Sequence, residues 1–529
     1  MKRILTFLLL AVLTLSACGK NESADAEKVI TATVGEQINE KSSDEIVLAM
    51  RTTTTLNPLL NEDASVDSIL RILYRPVIDL DESGKPEPSI AESWYYTEDG
   101  TALVLKLRQN MKWHDGSSIT ADDIIYSINV LKAAGENVVY KNCVQNITNC
   151  VKTDTYSLEV HFTNAYSGNV YSMCFLPVSQ KWNSGGGKDL EPMGNGSYRF
   201  ESFTAAKELV LKAAENSFGE IPTVETVTVR MTTDKDTDVY SFSQRLTDCL
   251  DASETQMGKH SLEDGAKKYS YVSNYYDFIG FNFNNSILAE KNIRKAVAYA
   301  VPIESIIDGI YLSNAVRTSN PVSPDSYLYE SEAKTYDYSL DGAKKYLDVA
   351  GFKAENDTGV RKRTKDGEVQ SLSFGLLVNS ENDERAQIAR KMAEELRAVG
   401  FEAKVESVPF EEYVQRLENG DFDMFVGGWE MSVAPYPGFM FSSSQIGGTN
   451  YISYSSEKMD SLLSAAYSAV SNASLLEAYS ALQKEIAEEL PYVSLVYRKS
   501  ALFTDDRISG NVVPYKNDCY KTIGQWKID

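Results

Sequence analysis

Between residues 372 and 428 the apolar positions switch repeatedly between a period of two and a helical period. Leu372, Phe374, Leu376 and Val378 alternate as one face of a strand, and Ile388, Met392, Leu396 and Val399 then recur at helical spacing up to Gly400. Phe401, Ala403 and Val405 alternate again. A second helical face follows at Phe410, Tyr413, Val414 and Leu417, with Gly420 as its stop, before the apolar run from Met424 to Gly428. This predicts a strand-helix-strand-helix-strand unit, hence a parallel sheet covered by helices and an α/β fold. Ligands of such sheets bind beyond the carboxyl ends of the strands, where Gly427-Gly428-Trp429 falls. Paired glycines admit a close backbone, and tryptophan offers an apolar face with one donor; a glycine turn with a packing tryptophan reads equally well.

Other segments follow the same logic. Ile293, Ala296, Val297, Ala300 and Val301 mark one helix, and after Pro302 a second face appears at Ile303, Ile306, Ile307 and Ile310. Thr120 is placed to cap a helix carrying Ile124, Ile128 and Leu131, with Asp122 and Asp123 favourable in its first turn. Residues 462–490 read as helical, and 493–496, after Pro491, as a strand.

The amino-terminal residues are of another kind. Lys2 and Arg3 precede an apolar core, Ile4 to Leu15, and Leu15-Ser16-Ala17-Cys18 resembles the cleavage site of a bacterial lipoprotein signal. The resemblance implies removal of residues 1–17, lipid on the Cys18 sulfur, and a protein anchored at the extracytoplasmic face of the cell membrane. The apolar run is shorter than the roughly 20 residues that a spanning helix requires. Residues 18–44 are polar and read as a flexible tether.

Charge and motif content exclude several classes. The formal net charge is -23, with no basic stripe, which argues against nucleic-acid partners. Besides Cys18 the cysteines are Cys143, Cys150, Cys174, Cys249 and Cys519, without metal-ligand spacing; Cys143 and Cys150 read as ordinary thiols before they read as a disulfide. His114, His161 and His260 are the only histidines, and neither a zinc-protease helix nor a nucleophile elbow is present. The stretch 185–188, Gly-Gly-Gly-Lys, is followed by Asp189 where a phosphate loop needs Ser or Thr, and reads as a surface loop. The expectation is therefore a non-enzymatic protein without cofactor or metal.

Several stretches, taken in order, resemble the oligopeptide, dipeptide and nickel-binding family of extracytoplasmic solute-binding proteins of ABC transporters. They are Leu56-Asn57-Pro58, Pro88-Ser89-Ile90-Ala91-Glu92-Ser93-Trp94, the run from Leu107 to Gly116 that contains Trp113-His114-Asp115-Gly116, and Ile119-Thr120-Ala121-Asp122-Asp123. Gly194-Asn195-Gly196-Ser197-Tyr198, Ile293-Arg294-Lys295-Ala296-Val297 and Ala350-Gly351-Phe352 continue the series. The resemblance implies a two-lobed clamp of the periplasmic-binding-protein type with an additional domain. Lobe I would comprise 45–74, 191–282 and 491–529, domain II 75–190, and lobe III 283–490, with a hinge where the chain crosses. A monomer would capture a small ligand, a peptide before other solutes, and present it to the permease subunits.

By position in the family, Glu62, Asp63 and Ala64 and the segment Gly427, Gly428 and Trp429 match ligand-contacting strands, Tyr276 and Phe278 an aromatic wall, and Phe410 a pocket aromatic. Core packing is the alternative for each. Peptide binders of the family carry an aspartate three residues after the tryptophan, for the ligand's amino group; here that position is Ser432. Val426 likewise stands where an arginine is often found. A saccharide, a nickel chelate or a peptide pheromone remain alternative ligands.

Overall fold

The computed structural model describes residues 44–185, 189–215, 218–219, 221–258, 265–354 and 359–529. The signal, Cys18 and the tether up to residue 43 lie outside the described residues, as do His260 and residues 186–188 of the glycine loop.

Three main sheets organise the chain. In the first, Glu45–Arg51 runs parallel to Thr226–Thr232, which continues antiparallel into Glu208–Ala213 and Tyr198–Thr204. In the second, Ala91–Tyr96, Ala102–Leu107, Ser157–Phe162 and Ile147–Asp154 are antiparallel. Helix Ala121–Ala133 covers it with Ile124, Ile128 and Leu131 buried, and the Asp123 carboxylate accepts from the Thr120 backbone N–H at 2.9 Å. The segments expected as domain II do not build a separate interior: Leu103, Leu105 and Ile124 join Ile46, Leu48 and Met50 in one continuous apolar core. Two half-covered sheets facing one another bury more apolar surface together than either could alone.

The third sheet has seven strands and two bodies to connect. Its parallel part is the predicted unit: Ser373–Asn379 lies parallel to Glu402–Val408 and to Met424–Glu430. The intervening helices are Asp383–Ala398, capped by Asn382, and Phe410–Asn419, which ends at Gly420 with φ of 68°. Ile388, Met392 and Leu396 bury one helical face as their spacing requires. Two long antiparallel strands, Lys267–Phe281 and Tyr492–Thr504, carry the chain between the bodies. At one end Tyr492–Thr504 pairs with Cys249–Ser253; at the other, Tyr275 to Phe281 pair with Met424–Glu430. The register shifts between Val272 and Tyr276 and again between Asp277 and Phe278, so the ladder is bulged where the partners change. Both strands are continuous through these changes of partner, up to Phe281 and from Tyr492.

Two expectations need correction. Residues 462–490 form two helices, Glu457–Ser468 and Asn472–Glu489, because Ser471 caps the second by accepting from the Ser474 N–H at 3.2 Å. The strand expected at 493–496 runs from Tyr492 to Thr504. Helices Lys291–Tyr299 and Ile303–Gly309 flank Pro302 as expected. Cys143 and Cys150 are not joined to each other, and Cys174 and Cys519 are likewise without a disulfide.

Candidate functional site

The strand Met424–Glu430 leads into a segment that reaches Asn274 and, through it, the carboxyl-terminal segment. Met431 donates its N–H to the Asn274 carbonyl at 2.9 Å, and the Asn274 side chain lies 3.3 Å from Asn517 of the carboxyl-terminal segment. Trp429 is half-buried, parallel to Tyr451 at 5.9 Å and edge-on to Phe439 at 5.2 Å. Its indole nitrogen is buried beside the Tyr492 hydroxyl, and neither atom has a partner of hydrogen-bond geometry among the described residues. Ser432 is exposed and donates to the Ala434 carbonyl at 2.8 Å within its own loop.

The glycines before Trp429 answer a need of this chain itself. A Cβ on Gly427 would meet the Phe425 ring, and one on Gly428 would collide with the Arg385 guanidinium and the Asp277 carboxylate. Asp277 is completely buried and accepts from Arg498 Nε at 2.5 Å, Arg385 Nε at 2.8 Å and the Tyr311 hydroxyl at 2.8 Å. Burial raises the carboxyl pKa, but the two guanidiniums outweigh it and hold the group below the ordinary carboxylate range. The double glycine thus accommodates a buried ion network at the crossing.

The remaining predicted residues are distributed unevenly. Tyr276 and Phe278 are both buried and stack at 5.2 Å; Phe278 lies on Tyr492 at 3.9 Å, and the Tyr276 hydroxyl lies 2.6 Å from that of Ser494. They are core aromatics in this structure. Phe410, at the start of its helix, is 56% exposed. Asp63 caps helix Ala64–Leu73, accepting from the N–H groups of Ser65 and Val66 at 2.8 and 3.2 Å. Glu62 and Ala64 beside it are exposed.

The structure also assembles groups that no local pattern announces. A cavity of about 50 Å³ is lined by Arg71, Asp79, Tyr515, Asp518 and Lys521 on one side and reached by Val433, next to Ser432, on the other. Close by, Tyr166 stacks on Tyr467 at 4.3 Å and meets Tyr436 edge-on at 5.9 Å, while the Ser167 hydroxyl donates to the Ala466 carbonyl at 2.9 Å. The same face contains Tyr327, whose hydroxyl lies 3.3 Å from that of Tyr171. These contacts join residues 75–190 to residues 283–490. The only sequence signal for them is an abundance of tyrosine, which does not say which rings meet.

Two α/β bodies joined by a pair of crossing strands, with a polar cavity at their junction, define a two-lobed binding protein of the periplasmic type. Residues 85–450 match the family described as bacterial extracellular solute-binding proteins, family 5 middle, and the chain belongs to that family. It is 27% identical to the oligopeptide-binding protein AppA of Bacillus subtilis, across 99% of this chain and 98% of that one. It is 21% identical to the dipeptide-binding protein of Escherichia coli, across 80% and 83% respectively. Among solved structures, a nickel ABC transporter protein from Bacillus halodurans superposes with a TM-score of 0.79 at 18% identity, covering 92% of this chain and 99% of that one. The Bacillus subtilis AppA structure, in complex with a nonapeptide, superposes with a TM-score of 0.60 at 24% identity, covering 92% and 99%.

Proposed function

We propose that this chain is the substrate-capturing subunit of an ABC importer and that its ligand is a short peptide, held between the lobes and delivered to the permease. The observation that carries the peptide reading is the full-length similarity to a protein named for oligopeptide binding, whose structure has been solved with a nonapeptide. Two strands bulged at the crossing suit a hinge, and a ligand that contacts both lobes shifts such a hinge toward closure. Cys18 anchors the mature protein through lipid at the outer face of the membrane, with the tether up to residue 44 as spacer. It acts as a monomer and performs no chemistry on its cargo.

The ligand contacts proposed for the cleft are Glu62 and Ala64 on one lobe and Trp429 and Ser432 on the other, with Phe410 at the entrance. Peptide main chain would supply the common recognition element, leaving side chains in wet pockets. A structural likeness solved in complex with a nickel–histidine chelate supports a metal chelate as the second reading. Mass spectrometry of small molecules released by denaturing the protein, produced from the residue after Cys18 and purified without added ligand, separates the readings. Recovered peptides support the first; a metal chelate or a sugar without peptides overturns it.

A further inference from the structure

The irregular stretch from Pro321 to Leu328 is pinned at both ends to the body built on the third sheet. The Pro321 carbonyl accepts from the Tyr497 hydroxyl at 2.5 Å, and the Val322 N–H donates to Asn320 Oδ1 at 2.9 Å. At the far end the Leu328 carbonyl accepts from the Gln483 side-chain amide at 2.6 Å, and the Glu330 N–H donates to Gln483 Oε1 at 2.9 Å. Asn320 and Gln483 are completely buried, and Pro321 and Pro324 each fix φ. A segment so held has little freedom left to lose when its middle docks elsewhere.

That middle bonds to the other body by three different contacts. Asp325 pairs with Lys516 at 3.0 Å; the Lys516 side chain is 10% exposed and has no second acid within ion-pair distance among the described residues. Lys516 belongs to the carboxyl-terminal segment, whose Val512, Tyr520 and Trp526 lie in the core of the first two sheets. The Tyr327 N–H donates to the Ser83 carbonyl at 3.2 Å. The Tyr327 hydroxyl lies 3.3 Å from that of Tyr171, and since Tyr171 donates to the Gly84 carbonyl at 3.2 Å, Tyr327 is the donor between the two. The receiving turn is itself preformed, because the Asp81 carboxylate accepts from the N–H groups of Ser83 and Lys85, both at 2.9 Å.

We infer that residues 321–328 are a strap that latches the two bodies shut, with the Asp325–Lys516 pair as its clasp. The inference needs the two-lobed fold and not the peptide reading. An ion pair, a backbone bond and a hydroxyl bond made by the chain's own residues favour the closed arrangement for every solute alike, and all three must break before a solute can leave. Both sides of the contact are shaped in advance, so little of their attraction is spent on ordering either one.

The test is hydrogen exchange of the full mature chain, read at single amides without added solute. The Tyr327 amide reports release of the strap, and the Val322 amide reports the strap's own integrity. Asp325→Lys and Lys516→Asp each speed exchange at Tyr327 on the order of tenfold or more while Val322 stays slow, and the double variant, with the charges exchanged, recovers most of the protection. Tyr327→Phe keeps the ring, removes the hydroxyl bond and gives a smaller rise at the same amide. Unchanged exchange at Tyr327 in either charge variant, or failure of the exchanged charges to restore it, overturns the inference. A rise of equal size at Val322 also overturns it, because the strap then melts within its own body instead of lifting from the other. None of these outcomes touches the peptide reading, which the solutes released on denaturation decide separately.

Discussion

Asp277 and Arg498 sit on neighbouring crossing strands, with the Asp277 carboxylate 2.5 Å from Arg498 Nε and 3.0 Å from one terminal nitrogen of the same guanidinium. The pair ties the two strands together where their register shifts, and Arg385 adds a third anchor from the start of a lobe III helix. Replacing Asp277 by alanine leaves two guanidiniums facing each other without a buried anion. The expected loss is about 3–5 kcal/mol of unfolding free energy, measured by urea denaturation. Because the Asp277 pKa is depressed, its contribution is present above the unfolded value of about 3.9 and is lost only as pH falls through the lower, folded value.

Gly428 and Gly420 make a matched comparison. Gly428→Ala drives a methyl group into Arg385 and Asp277 and should destabilise by about 1–3 kcal/mol through overpacking. Gly420→Ala meets no atom within 4 Å and pays only for its left-handed φ of 68°, roughly 1–2 kcal/mol. If thermal unfolding ranks Gly420→Ala as far more disruptive than Gly428→Ala, the ion network is not what requires the double glycine.

Tyr166 packs against both Tyr436 and Tyr467, which also meet each other edge-on at 5.3 Å, so one ring from residues 75–190 joins two from residues 283–490. Aromatic pairs contribute about 0.5–1.5 kcal/mol beyond area burial, so Tyr166→Ala should weaken ligand affinity several-fold by disfavouring closure. Calorimetry with a recovered peptide measures the affinity, and the small-angle scattering radius of the ligand-free protein should rise in the same variant.

The raised pKa of Asp518 has consequences for stability with the opposite sign from Asp277. Its ionised form disfavours the folded state above pH about 6, and folding takes up a proton between the unfolded value of about 3.9 and about 6. Stability should therefore gain a component as pH falls through 6, and Asp518→Asn should flatten that part of the urea midpoint profile.

Anchoring depends on one atom. Cys18→Ser removes the sulfur that would receive lipid, and the protein should move from the membrane fraction to the medium or periplasm on cell fractionation. Retention in the membrane would point to another anchor.

The strand-helix-strand-helix-strand unit was legible residue by residue, since Ile388, Met392 and Leu396 bury the face that their spacing defines and Gly420 ends its helix where expected. The end of the long carboxyl-terminal helix was less legible, because Ser471 acts as a cap only by turning its hydroxyl to the Ser474 N–H, and serine is equally at home on an exposed helical face. Tyr276 and Phe278 show the limit more sharply. An aromatic pair at alternate strand positions declares that one face is apolar, and says nothing about whether that face meets a ligand or, as here, Tyr492 and Ser494.

By itself, the sequence determined the elements, the parallel unit, the acidic character and the place of the chain within its family, because these depend on periodicity, composition and short ordered stretches. Only the tertiary structure decided what the special residues do. Asp277 finds Arg385 at 108 and Arg498 at 221 positions away, and Asp518 shares a cavity with Arg71 and Val433 across the lobes. Charge pairing and cavity formation depend on distance in space, which local spacing does not encode, so the double glycine acquired its meaning when the crossing strands brought Asp277 and Arg385 to it.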